Sequence, residues 1–236
     1  MASSKSSRSS KPAAPPNART SRPRRFVLGI SGASGAIYAT RLLEQLLLAD
    51  AEVHLVISDY GKRLLWDELQ IKTFDFASLA PTLAPGGARR LSKPQSALLA
   101  KRLVIHPNKD VGAVIASGSF LHDGMVVLPC SSTSLGALAS GSGSNLLTRA
   151  AMVTLKERRT LIVCHRESPL NLIDIEAMRT LTLAGAIIAP TNPGFYLLPK
   201  TIDEIVDFVV GKVLDLLKVE HDLKTRWEHA NTKPKD

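Results

Sequence analysis

Cysteine is scarce in this sequence. Two thiols, Cys130 and Cys164, cannot build the disulfide framework of a small secreted scaffold, so the chain reads as one made for a reducing compartment. Aromatic residues make up only 5% of the 236, too few for the stacking platform of a single-strand nucleic-acid binder. No run approaches the roughly 18–20 apolar residues that a membrane helix needs. The uncharged stretch from Met125 to Thr148 is interrupted by Ser, Gly and Pro. Acidic residues are missing altogether from residues 1–25, which carry seven Lys or Arg. Of the 30 basic residues, 23 then remain to face all 21 acidic ones, so a formal charge of +9 falls to +2 beyond the tail. The basicity belongs to the tail, and the domain has no electrostatic footprint for nucleic acid.

That tail, residues 1–24, is rich in Ser, Ala and Pro and is expected to be disordered. Acid-free, Arg- and Ser-rich segments also serve as transit peptides, although Pro12, Pro15 and Pro16 spoil an amphipathic helix there. As a solvated extension it leaves a cytoplasmic protein; as a transit peptide it implies a mitochondrial one.

From Arg25 to Asp236 the pattern is that of one α/β domain. Phe26–Ile30 is a short apolar run ending in Ser31-Gly-Ala-Ser-Gly35, and a helical pattern follows from Ala36 to Leu48. Glu52–Ser58 alternates and is rich in β-branched residues, as strands are, with a helix from Tyr60 to about Leu69. Residues 70–110 read as a loop-rich excursion with one helix near 93–102. Val111–Ala116, Met125–Leu128, Leu161–Cys164 and Ala186–Ala189 are further strand expectations. Asn145 caps a helix running to Arg159, another helix lies around Ile173–Leu183, and Thr201-Ile-Asp-Glu204 is a capping box opening a helix to about Leu217. Strands alternating with helices imply a Rossmann-like three-layer sandwich around a mostly parallel sheet, with continuous apolar strands because both faces are covered.

Such sheets bind ligands beyond the carboxyl ends of their strands. The segments expected there are Ser31–Ser34, Ser58-Asp59, Ser117–Ser119, Pro129–Ser134, His165–Glu167 and Pro190–Asn192, nearly all small, hydroxyl-bearing or charged. Gly29, Gly32 and Gly35 are spaced GxxGxxG rather than GxGxxG, and Ser58, not an acid, ends the second strand. This disfavours NAD and favours a mononucleotide such as a flavin. A turn of this kind lets helix N-terminal N–H groups approach an anion, although a ligand-free tight turn explains it equally well. Ser131, Ser132, Thr133 and Ser134 offer four hydroxyls where capping needs one.

Arg149 and Lys156 are seven residues apart on one helix face, and can clamp phosphate or simply be solvated. Arg158 and Arg159 read as helix C-terminal charges opposing the dipole. Glu167, beside Arg166, is either a general acid–base or half of a structural pair. Glu68 alone is an ordinary surface acid, and Cys130 a small buried thiol. His54, His106, His122 and His165 show no metal-ligand spacing.

Together these residues resemble the flavin prenyltransferase family of the UbiX type, within the homo-oligomeric flavoprotein fold. The likeness is carried by GISGASGAIYATRLLE (29–44), SGSF (117–120), GMVVLPCS (124–131), NLLTRAAMVTLKERRTLIV (145–163), HRESPLNL (165–172) and NPGFYLLPKTIDEIVDFVVGKVLD (192–215), and spans Arg25 to Trp227. It implies a metal-independent enzyme that joins the dimethylallyl group of dimethylallyl monophosphate to reduced FMN, at N5 and then C6. The product, prenylated FMN, is the cofactor of UbiD-type decarboxylases. It further implies a trimer-based dodecamer with sites between subunits.

On the same resemblance, Ser34 lies near flavin N5, and Gly32, Ala33, Ser34, Ser58, Ser131–Ser134 and Arg149 contact FMN. Glu68, Lys156, Arg166, Glu167, Tyr196 and Lys212 surround the prenyl phosphate, and Trp227 completes an aromatic wall. Ser34, Glu68, Lys156 and Glu167 form the implied catalytic set. The chemistry is consistent: cations accept the leaving phosphate, an aromatic face steadies a developing allylic cation, and Glu167 moves protons. The chain departs from many relatives at Ser132-Thr133, Met152 and Lys212, the last keeping the charge of the usual Arg without its fork.

Two other readings stand beside this one. A cysteine-type decarboxylase of the same fold needs a PxMNxxMW-type segment, where this chain has Pro190-Thr-Asn-Pro-Gly194. A non-catalytic FMN-binding protein has no use for Glu68, Lys156 and Glu167 together.

Overall fold

The computed structural model describes residues 22–225. The basic tail through Ser21 and Trp227 with its neighbours lie outside the described residues.

The apolar runs form the middle of one sheet. Its strands are β1 (Arg25–Ile30), β2 (Glu52–Ile57), β3 (Leu103–Pro107), β4 (Gly124–Cys130), β5 (Leu161–His165) and β6 (Ile187–Ile188), in the order β3-β2-β1-β4-β5-β6. Every pairing is parallel. Parallel strands need crossovers: α1 (Ala36–Leu48) joins β1 to β2, α2 (Asp59–Leu69), α3 (Phe76–Leu79) and α4 (Lys93–Ala100) join β2 to β3, α5 (Ser132–Ala139) and α6 (Leu146–Lys156) join β4 to β5, and α7 (Leu172–Leu183) joins β5 to β6, while α8 (Ile202–Leu216) follows the last strand.

Because β1 alternates between two covered faces, its residues split between two cores. Phe26, Leu28 and Ile30 join Val53, Leu55 and Ile57 of β2 beneath α1 and α8, which contribute Leu42, Leu46, Val210 and Leu214. Val27 joins Val56, Met125 and Val127 beneath α5, α6 and α7, which contribute Leu135, Leu147, Ala151 and Leu181. The result is a helix–sheet–helix sandwich. Arg24 locks its amino edge by donating to the carbonyls of Leu217 and Lys218 at 2.7 and 2.6 Å, satisfying acceptors at the end of α8.

The side-chain caps expected from sequence are formed. Asn145 accepts from the Thr148 amide, and Thr201 and Glu204 make both bonds of their capping box. Five expectations are corrected. The third strand is Leu103–Pro107, while Val111–Ala116 is a chain of turns ending in a 3-10 turn at Val114–Ala116. Ser117–Ser119 therefore follow that turn and not a strand end. The helix from Asn145 stops at Lys156, because Arg158 turns left-handed with φ 56°. Arg159 then donates to the carbonyls of Phe120 and Gly118 at 2.7 and 2.6 Å instead of facing the helix dipole. Finally, the last strand is only Ile187–Ile188.

Candidate active site

Strand order reverses between β1 and β4, whose connections leave to opposite sides, so a crevice opens beyond their carboxyl ends. Ser31 and Ser131 flank it. Ser31 is fully buried; its hydroxyl donates to the Pro129 carbonyl at 3.0 Å and accepts from the Ser131 amide at 2.8 Å, fastening the two strand ends together. The glycine turn follows. Gly35 takes φ 112°, open to glycine, and a Cβ on Gly32 would sit 2.3 Å from the Tyr60 Cβ. Gly32 is thus demanded by the close approach of α2, and Ala33 is buried.

Glu68 lies at the far end of α2, yet its carboxylate reaches across to the N-terminus of α1. It accepts from the Gly35 amide at 2.9 Å and from the Ala36 amide at 2.8 Å. The Glu68 carboxylate thus takes the Gly35 and Ala36 amides that an anion would use, which agrees with the ligand-free alternative for the glycine turn. Arg166, just past β5, comes to the same place: its Nε donates to the Ser34 carbonyl at 3.1 Å. The Tyr38 hydroxyl stays protonated above its usual range because burial disfavours the anion, with the Arg166 charge pulling the other way.

The run of hydroxyls after β4 sorts into separate duties. Ser131 caps α5 by accepting from the Ser134 amide at 3.3 Å, and its Oγ lies 3.2 Å from that of Ser134. Ser132 Oγ is 3.1 Å from Nε2 of His165, a buried ring kept from protonating chiefly by desolvation, against the pull of Asp174 and Glu167. Thr133 is exposed. Ser58 serves α2 as its N-cap, accepting from Gly61 at 3.0 Å. With α1 occupied by Glu68, the first amides of α5 and the hydroxyls around them are the donor set fitted to a phosphate-bearing or polar-edged flavin. Cys130 and Cys164 are buried; their thiols are pushed upward by desolvation, Cys164 to about 12, and neither is a nucleophile.

The chain therefore gathers Ser34, Glu68, Arg166 and the Ser131–Ser134 run at one edge. Glu167 is next to Arg166 but exposed, and its Oε1 accepts from the Ser168 amide at 3.0 Å, so no Arg166–Glu167 pair forms. Lys156 is elsewhere. Helix α6 begins where Asn108, just past β3, accepts the Leu146 and Leu147 amides, and ends beside Thr160, whose carbonyl bonds Met125 at the start of β4. It runs from the carboxyl edge to the amino edge, placing Lys156 at the wrong end within one chain, paired with Glu157. Arg149, in the second turn of α6, is exposed. Tyr196 packs edge-on against Phe208 of α8 with ring centres 5.6 Å apart, and Lys212 is exposed one turn further along that helix. A cleft of about 820 Å³ lies beside them, lined by residues including Lys200, Phe208 and Thr225.

The sequence puts His165 among the strand-end segments but gives neither it nor Tyr38 and Tyr60 a role. Tyr60 is exposed, its backbone and Cβ lie against Gly32, and only its place just after the Ser58 cap hints at the edge. His165 carried a usable signal, since it ends a strand one residue before Arg166.

Known proteins share this sequence pattern and this fold. The flavoprotein family model matches residues 15–214. The flavin prenyltransferase UbiX of Halalkalibacterium halodurans is 43% identical over 202 residues, covering 86% of this chain and 92% of the relative. The crystal structure of AnUbiX (PadA1) in complex with FMN and dimethylallyl pyrophosphate superposes with a TM-score of 0.70 at 34% identity, over 88% of this chain and 98% of that one. A dodecameric FMN-dependent UbiX-like decarboxylase from Escherichia coli O157:H7 gives a TM-score of 0.70 at 36% identity, over 86% and 99%.

Proposed function

The chain belongs to the flavoprotein family, among its flavin prenyltransferases, and on that premise we propose that the β1/β4 crevice joins a dimethylallyl group from dimethylallyl monophosphate to reduced FMN. The observation that carries this is the meeting of Ser34, Glu68 and Arg166 from three distant segments beside the donor-rich start of α5. The flavin, when bound, supplies the nucleophilic ring nitrogen that takes the prenyl carbon.

The remaining work falls to the chain's own residues. When the carbon–oxygen bond of the prenyl phosphate breaks, its electron pair leaves on the phosphate, and the half-buried Arg166 guanidinium is placed to receive that anion. The Arg166 bond to the Ser34 carbonyl holds the guanidinium against the glycine turn, so the charge is aimed before substrate arrives. Glu167, exposed at the rim, is the proton carrier. Ser34 sits on the turn that Glu68 braces and is positioned to pass a proton to the flavin edge.

Lys156 cannot join this group from its own chain, so we assign it to a neighbouring copy. Tyr196, packed against Phe208 of α8, and Lys212 on that helix are assigned to the same composite phosphate site. The dodecameric relative and a large exposed apolar surface support assembly: Leu172, Ile173 and Leu183 on α7, Leu198 beyond it and Ile202 on α8 are each more than 70% exposed. A UbiD-type decarboxylase is the proposed recipient of the product. Among the described residues no helix is long and apolar enough to cross a membrane. The tail decides between cytoplasm and mitochondrion.

The test is anaerobic incubation of the full chain with reduced FMN and dimethylallyl monophosphate, followed by mass spectrometry of the released flavin. A flavin heavier by one dimethylallyl group is expected; unchanged FMN refutes the reading.

A further inference from the structure

His165 has no part in the chemistry above, yet it is a buried titratable side chain that touches the proposed flavin site. Its ring ends β5 at 2% exposure, and Nε2 lies 3.1 Å from Ser132 Oγ. Ser132 is the first residue of α5, so its hydroxyl stands beside backbone amides that have no carbonyl behind them. The flanking hydroxyls of Ser131 and Ser134 are engaged with each other. Ser132 is the one whose hydroxyl is tied to β5.

A neutral imidazole offers one donor and one acceptor nitrogen. A ring accepting at Nε2 takes the Ser132 proton and leaves that oxygen as an acceptor only. A ring donating at Nε2 leaves the hydroxyl proton free to be given outward. Either way the ring fixes both the rotamer of Ser132 and the sense of the hydrogen bond it can offer a ligand. We propose that His165 is a positioning residue for the flavin, acting through Ser132 without touching the flavin itself. This rests on the reading that the start of α5 receives FMN. A space-filling role at the end of β5 has a different signature: its loss would lower stability and would be independent of Ser132.

The test measures FMN affinity by quenching of flavin fluorescence on the full chain, for Ser132→Ala, His165→Ala, His165→Gln and the double Ser132→Ala/His165→Ala variant. Each alanine variant is expected to weaken FMN about fivefold, the size of one neutral hydrogen bond. The double variant should bind no worse than either single one, because both remove the same contact. His165→Gln, whose amide can still reach Ser132, should recover most of the affinity. Losses that multiply in the double variant, or a loss that glutamine does not recover, overturn the proposal while leaving FMN at α5. Wild-type affinity in Ser132→Ala shows that Ser132 gives FMN no contact and overturns the role of His165, whereas failure of the wild-type chain to bind FMN at all overturns the flavin reading itself. Should His165→Ala fail to fold, the cycle is run with His165→Asn, which is polar but too short to reach Ser132.

Discussion

Arg166 Nε donates to the Ser34 carbonyl over 3.1 Å although 132 residues separate the two. The bond joins the loop after β1 to the loop after β5, across β4, and turns two strand ends into one site. Lysine keeps the charge but has no planar fork to hold the carbonyl and a phosphate together. Arg166→Lys should therefore lower kcat/KM for the prenyl phosphate by about tenfold, and Arg166→Ala by about a hundredfold or more, since it removes a charge-assisted bond as well. Steady-state kinetics under anaerobic conditions, with FMN affinity measured alongside, check this. Equal losses in the two variants would show that the fork does nothing.

Glu68 offers a separate test, because its carboxylate acts as the cap that α1 lacks. Gly35 at the N-cap position has no side chain to accept the first amides, and Glu68 substitutes from another helix. Glu68→Ala should cost about 1 kcal/mol of stability in urea denaturation, the usual worth of a cap. It should also open the α1 N-terminus to anions, so that added phosphate stabilises Glu68→Ala more than wild type. If phosphate affects both equally, the carboxylate is not what closes that end.

This bracing was illegible in the sequence, and the reason is geometric. Glu68 looks like a surface acid until α2 is docked over the turn, a docking set by Gly32 beneath Tyr60. The strand–turn–helix from Phe26 to Leu48 was readable because β1 is buried on both faces and leaves a continuous apolar run. By contrast, β3 is an edge strand with three exposed residues, Val104, Ile105 and Pro107, and its apolar run stops after Leu103–Ile105 at His106 and Pro107. Val111–Ala116 imitates a buried strand better than the real one does. Four hydroxyls in a row exceed what capping needs, but their division of labour depends on His165, which arrives from a different strand. Lys156 and Arg166 share one chain and opposite edges, and only the path of α6 reveals it.

The acid limb of stability should be set in part by His122. Its ring is buried, with Nδ1 3.1 Å from the Gly124 carbonyl and Nε2 3.4 Å from Thr154 Oγ1. Desolvation holds it down to about 4 from the usual 6.5. A base whose folded value is depressed is stabilising while neutral: the contribution is complete above about pH 6.5 and is lost as the unfolded chain takes up a proton that the fold refuses. From pH 6.5 to 4 the loss from this one group is of order 3 kcal/mol. His106, lowered by burial and by His54, adds in the same direction. Thermal denaturation from pH 7.5 to 4.5 should show a falling Tm for wild type and a shallower fall for His122→Gln. Parallel curves would mean that the ring is not the titrating group.

The assignment of Lys156 to a neighbouring copy makes a quantitative prediction by complementation. Lys156→Ala lacks the cation and Glu167→Gln lacks the proton carrier, so each homogeneous assembly should be inactive. If one site draws its Glu167 from one copy and its Lys156 from another, an assembly of both variants in equal amounts has about a quarter of its sites intact. The two chains must be co-expressed, or unfolded and refolded together, because assembled copies need not exchange. Prenylated FMN should then form at about a quarter of the wild-type rate, with each variant alone as the baseline. A site completed within a single chain predicts no recovery at any mixing ratio. Recovery that follows the product of the two fractions would fix the partition of the site, since half the sites draw Glu167 from an intact chain and half of those meet an intact Lys156.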